Sequence, residues 1–100
     1  MDKRLLSMLS LCRRAGGMKT GSFACEKAIQ GGKALLVLVG MDASENTKKR
    51  FSQKAFYYGV PYRELLSREE LGRAVGLEET AAVVITDSNF SGRILELIEL

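Results

Sequence analysis

Two apolar runs constrain this chain more than any other feature. Leu35-Leu36-Val37-Leu38-Val39 and Ala81-Ala82-Val83-Val84-Ile85-Thr86 are almost uninterrupted by polar residues and only as long as a strand. A strand with one wet face alternates apolar with polar residues, whereas one covered on both faces does not. Each run therefore predicts an interior strand that needs helices above and below it.

The rest of the chain supplies those helices. Residues 3–14 place Leu5, Met8, Leu9 and Cys12 at helical spacing, with Gly16-Gly17 as the stop. Met18 to Thr20 reads as a short strand. Ser22 to Gln30 reads as a helix with Ser22 or Thr20 as cap and a small inner face of Ala24, Cys25, Ala28 and Ile29. A third helix is expected from about Ser44 to Tyr58, with Thr47, Phe51, Ala55 and Tyr58 on one stripe before Gly59. Pro61 to Leu65 suits a short strand where a missing amide donor does no harm. Ser67-Arg68-Glu69-Glu70 is a capping box opening a helix that lasts to about Val75. Asp87 or Ser88 caps the last helix, with Phe90, Ile94, Leu97 and Ile98 inward. Helices and strands alternate, so the fold class is α/β, a three-layer α/β/α sandwich. The 100 residues suffice for one domain over 1–100.

Charge is uneven along the chain. Residues 1–33 carry +5 and residues 34–63 carry +3, while residues 64–100 carry −5, giving +3 in all. A basic first two-thirds suits a polyanionic partner. The longest apolar run, Ala34 to Val39, is far short of the ~20 residues of a membrane span. The N-terminus shows no apolar segment ending in a cleavage site. The chain reads as unprocessed and cytoplasmic, with no membrane partner.

The absence of histidine excludes Ser-His and Cys-His nucleophile pairs. With two cysteines and no CxxC, a zinc site cannot be assembled; Cys12 and Cys25 read as buried free thiols. No enzyme activity, metal or cofactor is expected. Asp42 and Asp87 follow the buried strands and could share a magnesium ion, but helix capping is the favoured role. Lys48-Lys49-Arg50 with Lys54 forms a basic helical face, ordinarily a solvated one. Phe56-Tyr57-Tyr58 could stack on bases, but core packing of Tyr58 and one neighbour is favoured.

Gly16 to Lys27, "GGMKTGSFACEK", is the candidate site. Gly16 and Gly21 have the spacing of a phosphate-binding loop, but Ser22 stands where that loop needs lysine, and a helix precedes it. What remains is a helix start with free amides, with Lys19 before it and Lys27 inside it. It fits an RNA phosphate or a solvated turn, and these residues alone leave the two even.

Leu71-Gly72-Arg73-Ala74-Val75-Gly76, "LGRAVG", resembles the signature of the L7Ae/L30e superfamily of ribosomal proteins, which recognise kink-turns in RNA. "KTG", "EKAI", "GGKALLVLVGMDAS", "GVPY" and "TAAVVITD" agree in order along nearly the whole chain. The overall look is closest to the small bacterial members of the YlxQ type. The resemblance implies a mixed four-stranded sheet and non-enzymatic binding of structured, kink-turn-like or ribosomal RNA, in connection with translation. It implies phosphate contacts from Lys19, Thr20, Gly21, Ser22 and Lys27, with Lys33 adding charge. It makes Gly76 and Leu77 the start of a loop covering a flipped-out nucleotide. Kink-turn readers usually carry Asn-Glu where this chain has Phe23-Ala24, and a branched apolar residue where it has Glu79. Neither Phe23 nor Ala24 can make polar base contacts. Shape and charge become the expected mode, with Phe23 either stacking on a base or buried in the core. The expected partners are structured RNA, with ribosome or translation-factor contacts, and the expected state is a monomer. The alternative is a protein-interaction module on the same fold that uses the acidic C-terminal third.

Overall fold

The computed structural model of the chain describes residues 3–99. Met1, Asp2 and Leu100, which the single-domain expectation includes, lie outside the described residues. The elements run α1 (Lys3–Arg14), β1 (Met18–Thr20), α2 (Ser22–Gln30), β2 (Leu36–Val39), α3 (Glu45–Tyr58), β3 (Tyr62–Glu64), α4 (Arg68–Ala74), β4 (Ala82–Ile85) and α5 (Ser88–Glu99). Type and order match the sequence expectations. None of the described helices is long and apolar enough to cross a membrane.

The sheet has the order β1-β4-β2-β3. β2 and β3 are parallel, and β4 runs antiparallel to both β1 and β2. The two apolar runs thus take the two interior positions, which are the positions covered on both sides. The short strands β1 and β3 form the edges. Pro61 just precedes edge strand β3, and its carbonyl accepts the Val37 N–H at 2.9 Å.

Alternation along the strands sorts the core into two layers. Leu36, Leu38, Val83 and Ile85 pack with Leu5, Leu9, Leu71 and Ile94 of α1, α4 and α5. Val37, Val39, Ala82 and Val84 pack with Cys25, Ile29, Phe51 and Ala55 of α2 and α3. Burying a ring such as Phe51, which is wholly covered, contributes about 1.5–3 kcal/mol. Cys12 and Cys25 are buried and free. Burial, with Asp87 adding to it, pushes the Cys12 thiol up to about 11. Burial, with Glu26 adding to it, takes Cys25 up to about 12. Both sulfurs donate to backbone carbonyls, Cys12 to Gly17 at 3.2 Å and Cys25 to Lys19 at 3.4 Å.

Strand directions decide which loops meet. β1, β2 and β3 end where β4 begins, so Gly21, the Gly40–Ser44 turn and the loop entering β4 share one end of the sheet. The Gly21 N–H donates to the Ala82 carbonyl at 3.2 Å across that end. Asp42 lies there too, but Asp87 follows β4 and lies at the opposite end. A magnesium ion shared by the two is therefore excluded.

The helix starts correct two cap assignments. Asp87 caps α5, accepting the Asn89 N–H at 2.8 Å. Asp42 does not cap the helix that follows it. Ser44 caps α3, accepting the Thr47 N–H at 3.1 Å, while Asp42 accepts the Arg68 N–H of α4 at 2.8 Å. For α2, neither Thr20 nor Ser22 is the cap. Gly21 is, with φ +87° and no side-chain hydrogen bond to the helix. A positive φ there is open to glycine and strained for other residues.

Candidate nucleic-acid interface

The site is assembled around α2. Lys19 pairs with Val84 in the β1–β4 register, so it stands on the sheet face that α2 covers. β1 is an edge strand, which leaves the Lys19 side chain exposed. Along the outer flank of α2, Phe23, Lys27 and Gly31 follow at intervals of four residues, one helical ridge. Lys19, Phe23, Ala24, Lys27, Gly31 and Lys33 line a concavity of about 420 Å³ along this flank. Four of the nine sequence-predicted residues, Lys19 of β1, Phe23 and Lys27 of α2 and Lys33 of the loop after it, meet there.

Phe23 is 76% exposed, so the core alternative for it is ruled out. The Lys27 ammonium sits over its ring, 5.2 Å from the centroid, which places a cation against its face. Lys19, Lys27 and Lys33 have no carboxylate partner among the described residues. Their charge is available to an anion. The start of α2, with its amides uncapped by any side chain, adds a positive dipole end next to Phe23.

The remaining predicted residues are placed differently. Gly21 and Ser22 form the helix start but do not line the concavity. Thr20 belongs to the other sheet face and accepts a long hydrogen bond from Arg13 Nη1 at 3.5 Å. Arg13 was missed by sequence reasoning, which placed it only as part of α1. Its nearness to β1 depends on how α1 packs, and nothing in local spacing signals it. Gly76 (φ +80°) and Leu77, 37% exposed, lie on the loop entering β4, at the same sheet end as Gly21 but outside the concavity.

That loop is pressed onto α4. A Cβ on Gly72 would lie 2.4 Å from the Glu79 Cα, so the LGRAVG glycine is required by backbone contact. Glu69, Arg73, Glu78 and Glu79 line a separate concavity of about 340 Å³. Arg68 partly offsets the acids, pairing with Glu79 at 3.6 Å and Asp42 at 3.7 Å. The Arg68 amide donated to Asp42, with the guanidinium nearby, holds the Asp42 carboxyl below its ordinary value.

The basic run on α3 is largely paired. Glu26 of α2 binds Arg50 at 3.2 Å and Lys54 at 3.8 Å, and Lys48 meets Glu64 at 3.6 Å. The aromatic run corrects the core expectation. Phe56 is 88%, Tyr57 80% and Tyr58 43% exposed, while Phe51 and Ala55 fill the core instead.

The family model of the Ribosomal protein L7Ae/L30e/S12e/Gadd45 family matches residues 3–95. The RNA-binding protein YlxQ of Bacillus subtilis is 38% identical over 92 residues, 92% of each chain. The large ribosomal subunit protein eL8 of Halobacterium salinarum is 33% identical over 88 residues, covering 85% of this chain and 73% of its own. A Bacillus halodurans protein of unknown function has a solved structure that superposes with a TM-score of 0.95 at 34% identity, covering 99% of this chain and 100% of its own.

Proposed function

Because the chain belongs to the Ribosomal protein L7Ae/L30e/S12e/Gadd45 family, we propose that it binds structured RNA without catalysis, in the cytoplasm and in connection with translation. The family and the names of its relatives support RNA as the partner. The observation that carries the residue-level reading is the α2 flank, where Lys19, Lys27 and Lys33 surround an exposed Phe23. Lysines hold phosphates as point charges, and an exposed ring stacks on a base without reading its edge. Gly21 and Ser22 offer helix-start amides to a phosphate at the end of that flank, and Thr20 supports β1 from the other face. Gly76 and Leu77 open the loop that borders the RNA at the same end of the sheet. The ligand is a kink-turn-like or ribosomal RNA, recognised by shape and charge since Phe23-Ala24 lack polar base contacts. The chain acts as one domain over 1–100 and as a monomer.

The test is a mobility titration at two salt concentrations. It compares a kink-turn RNA, the same RNA with its G·A pairs disrupted, and ribosomal RNA fragments. Shape and charge recognition predicts similar binding to both kink-turn forms, weakened by salt and by changing Lys19 and Lys27. Binding to the intact form alone would overturn the mode but keep the ligand. Absence of RNA binding at low salt would favour the second reading, a docking module for a basic ribosomal or translation-factor protein. The Glu69, Glu78 and Glu79 concavity supports that reading, and changing Glu78 and Glu79 should weaken such a complex.

A further inference from the structure

We propose that the outer face of α3 is a second RNA surface, which takes a single-stranded segment while the α2 flank holds the structured part. This rests on the RNA reading above. A groove of about 590 Å³ lies between this face and the last turn of α2. Its walls carry three kinds of side chain. Gln30, Asn46 and Gln53 present amides, Lys49, Arg50 and Lys54 present cations, and Tyr57 and Tyr58 present rings. Among the described residues no carboxylate lines it.

Each kind has a use on a single strand. Amides both donate and accept, so they tolerate any unpaired base edge. Tyr57 is 80% exposed and braced edge-to-face against Tyr58 at a centroid distance of 5.0 Å, a ring held ready for stacking. Arg50 and Lys54 share the single carboxylate of Glu26, and Lys49 has no carboxylate partner among the described residues. The groove therefore keeps net positive charge after its internal pairing. Asn46, Arg50, Gln53 and Tyr57 form one ridge about 16 Å long at ~1.5 Å per residue. That length matches four or five stacked nucleotides at ~3.4 Å each. The net positive charge of the groove favours a polyanionic strand as its occupant.

Two of the three tyrosines line this groove, the third being Tyr62 of β3, and there is no tryptophan, so most of the intrinsic fluorescence comes from this surface. An unstructured oligoadenylate of about eight nucleotides is titrated at low salt, following tyrosine quenching and anisotropy of a labelled oligomer. The expected result is saturable quenching, with affinity falling about tenfold in Tyr57→Ala and several-fold in Lys49→Glu. The Lys19→Gln/Lys27→Gln double variant should lower oligomer affinity less than Tyr57→Ala does. A kink-turn RNA titrated in parallel separates the two surfaces. If its binding fails while quenching persists, the α2 reading falls and this one stands. No saturable quenching, or oligomer binding that responds to Lys19 and Lys27 but not to Tyr57 and Lys49, overturns the proposal. So does self-association through Tyr57, seen in sedimentation and indifferent to the oligomer.

Discussion

α2 and α4 both start at the same end of the sheet, one on each face, and their first turns are opposites. At α4, Ser67 Oγ accepts the Glu70 N–H at 3.0 Å, Glu70 accepts the Ser67 N–H at 2.8 Å, and Asp42 accepts the Arg68 N–H at 2.8 Å. Two carboxylates occupy that start and satisfy its amides. At α2 a glycine stands in the cap position, no side chain bonds to the first turn, and the nearest ionisable groups in the concavity are lysines. One start is thus closed to anions and the other open: the cap backbone is extended at Ser67 (φ −87°), which suits a capping side chain, but has φ +87° at Gly21, which favours glycine. The difference lies in whether the sequence spends a side chain on capping.

The largest effect should come from reversing the charge at the open start. The Lys19→Glu/Lys27→Glu double variant should lower structured-RNA affinity on the order of a hundredfold. It should also flatten the slope of log affinity against log salt by about two, read by mobility titration. Next is the closed start. Ser67→Ala removes one half of the capping box and should cost about 1 kcal/mol in urea unfolding, with RNA affinity unchanged. Ser22→Asp would make the open start resemble the closed one. It should add about 0.3–1 kcal/mol of stability through the helix dipole while weakening RNA binding several-fold, a divergence that neither start shows alone.

The smallest effect concerns Asp42. Its carboxyl is held below its ordinary value in the folded state. The resulting stabilisation is complete above the unfolded value and is lost as pH falls through the folded one. Asp42→Asn keeps an oxygen for the Arg68 amide but removes the charge. The difference in urea midpoint between neutral pH and about pH 3 should therefore narrow in that variant, since ionised carboxylates linked to folding set the acid limb. An unchanged difference would show that Asp42 does not couple to folding.

Much of this was legible in the sequence because it depends on local patterns. The runs at Leu35–Val39 and Ala81–Thr86 marked the interior strands, and Ser67-Arg68-Glu69-Glu70 marked a real capping box. What was not legible depends on distant packing. Asp42 reaches a helix start 26 residues away. Arg13 reaches Thr20 only because α1 lies against β1. Tyr58 sits at helical spacing from Ala55, yet it is at the last turn of α3, where the sheet no longer covers it. Lys19, Phe23, Lys27 and Lys33 were each visible as candidates. Phe23 and Lys27 share a ridge by their i,i+4 spacing, but that Lys19 and Lys33 close the same concavity depends on how β1 and the loop after α2 pack beside that helix.

β1 leaves one edge of the sheet with unpaired backbone groups, an invitation to another sheet. It is three residues long, and its middle side chain is an exposed lysine. A short strand bearing a charge is a poor template for a neighbour, and two such edges brought together would set lysine against lysine. Lys19 therefore also guards the chain against stacking on its own copies at high concentration.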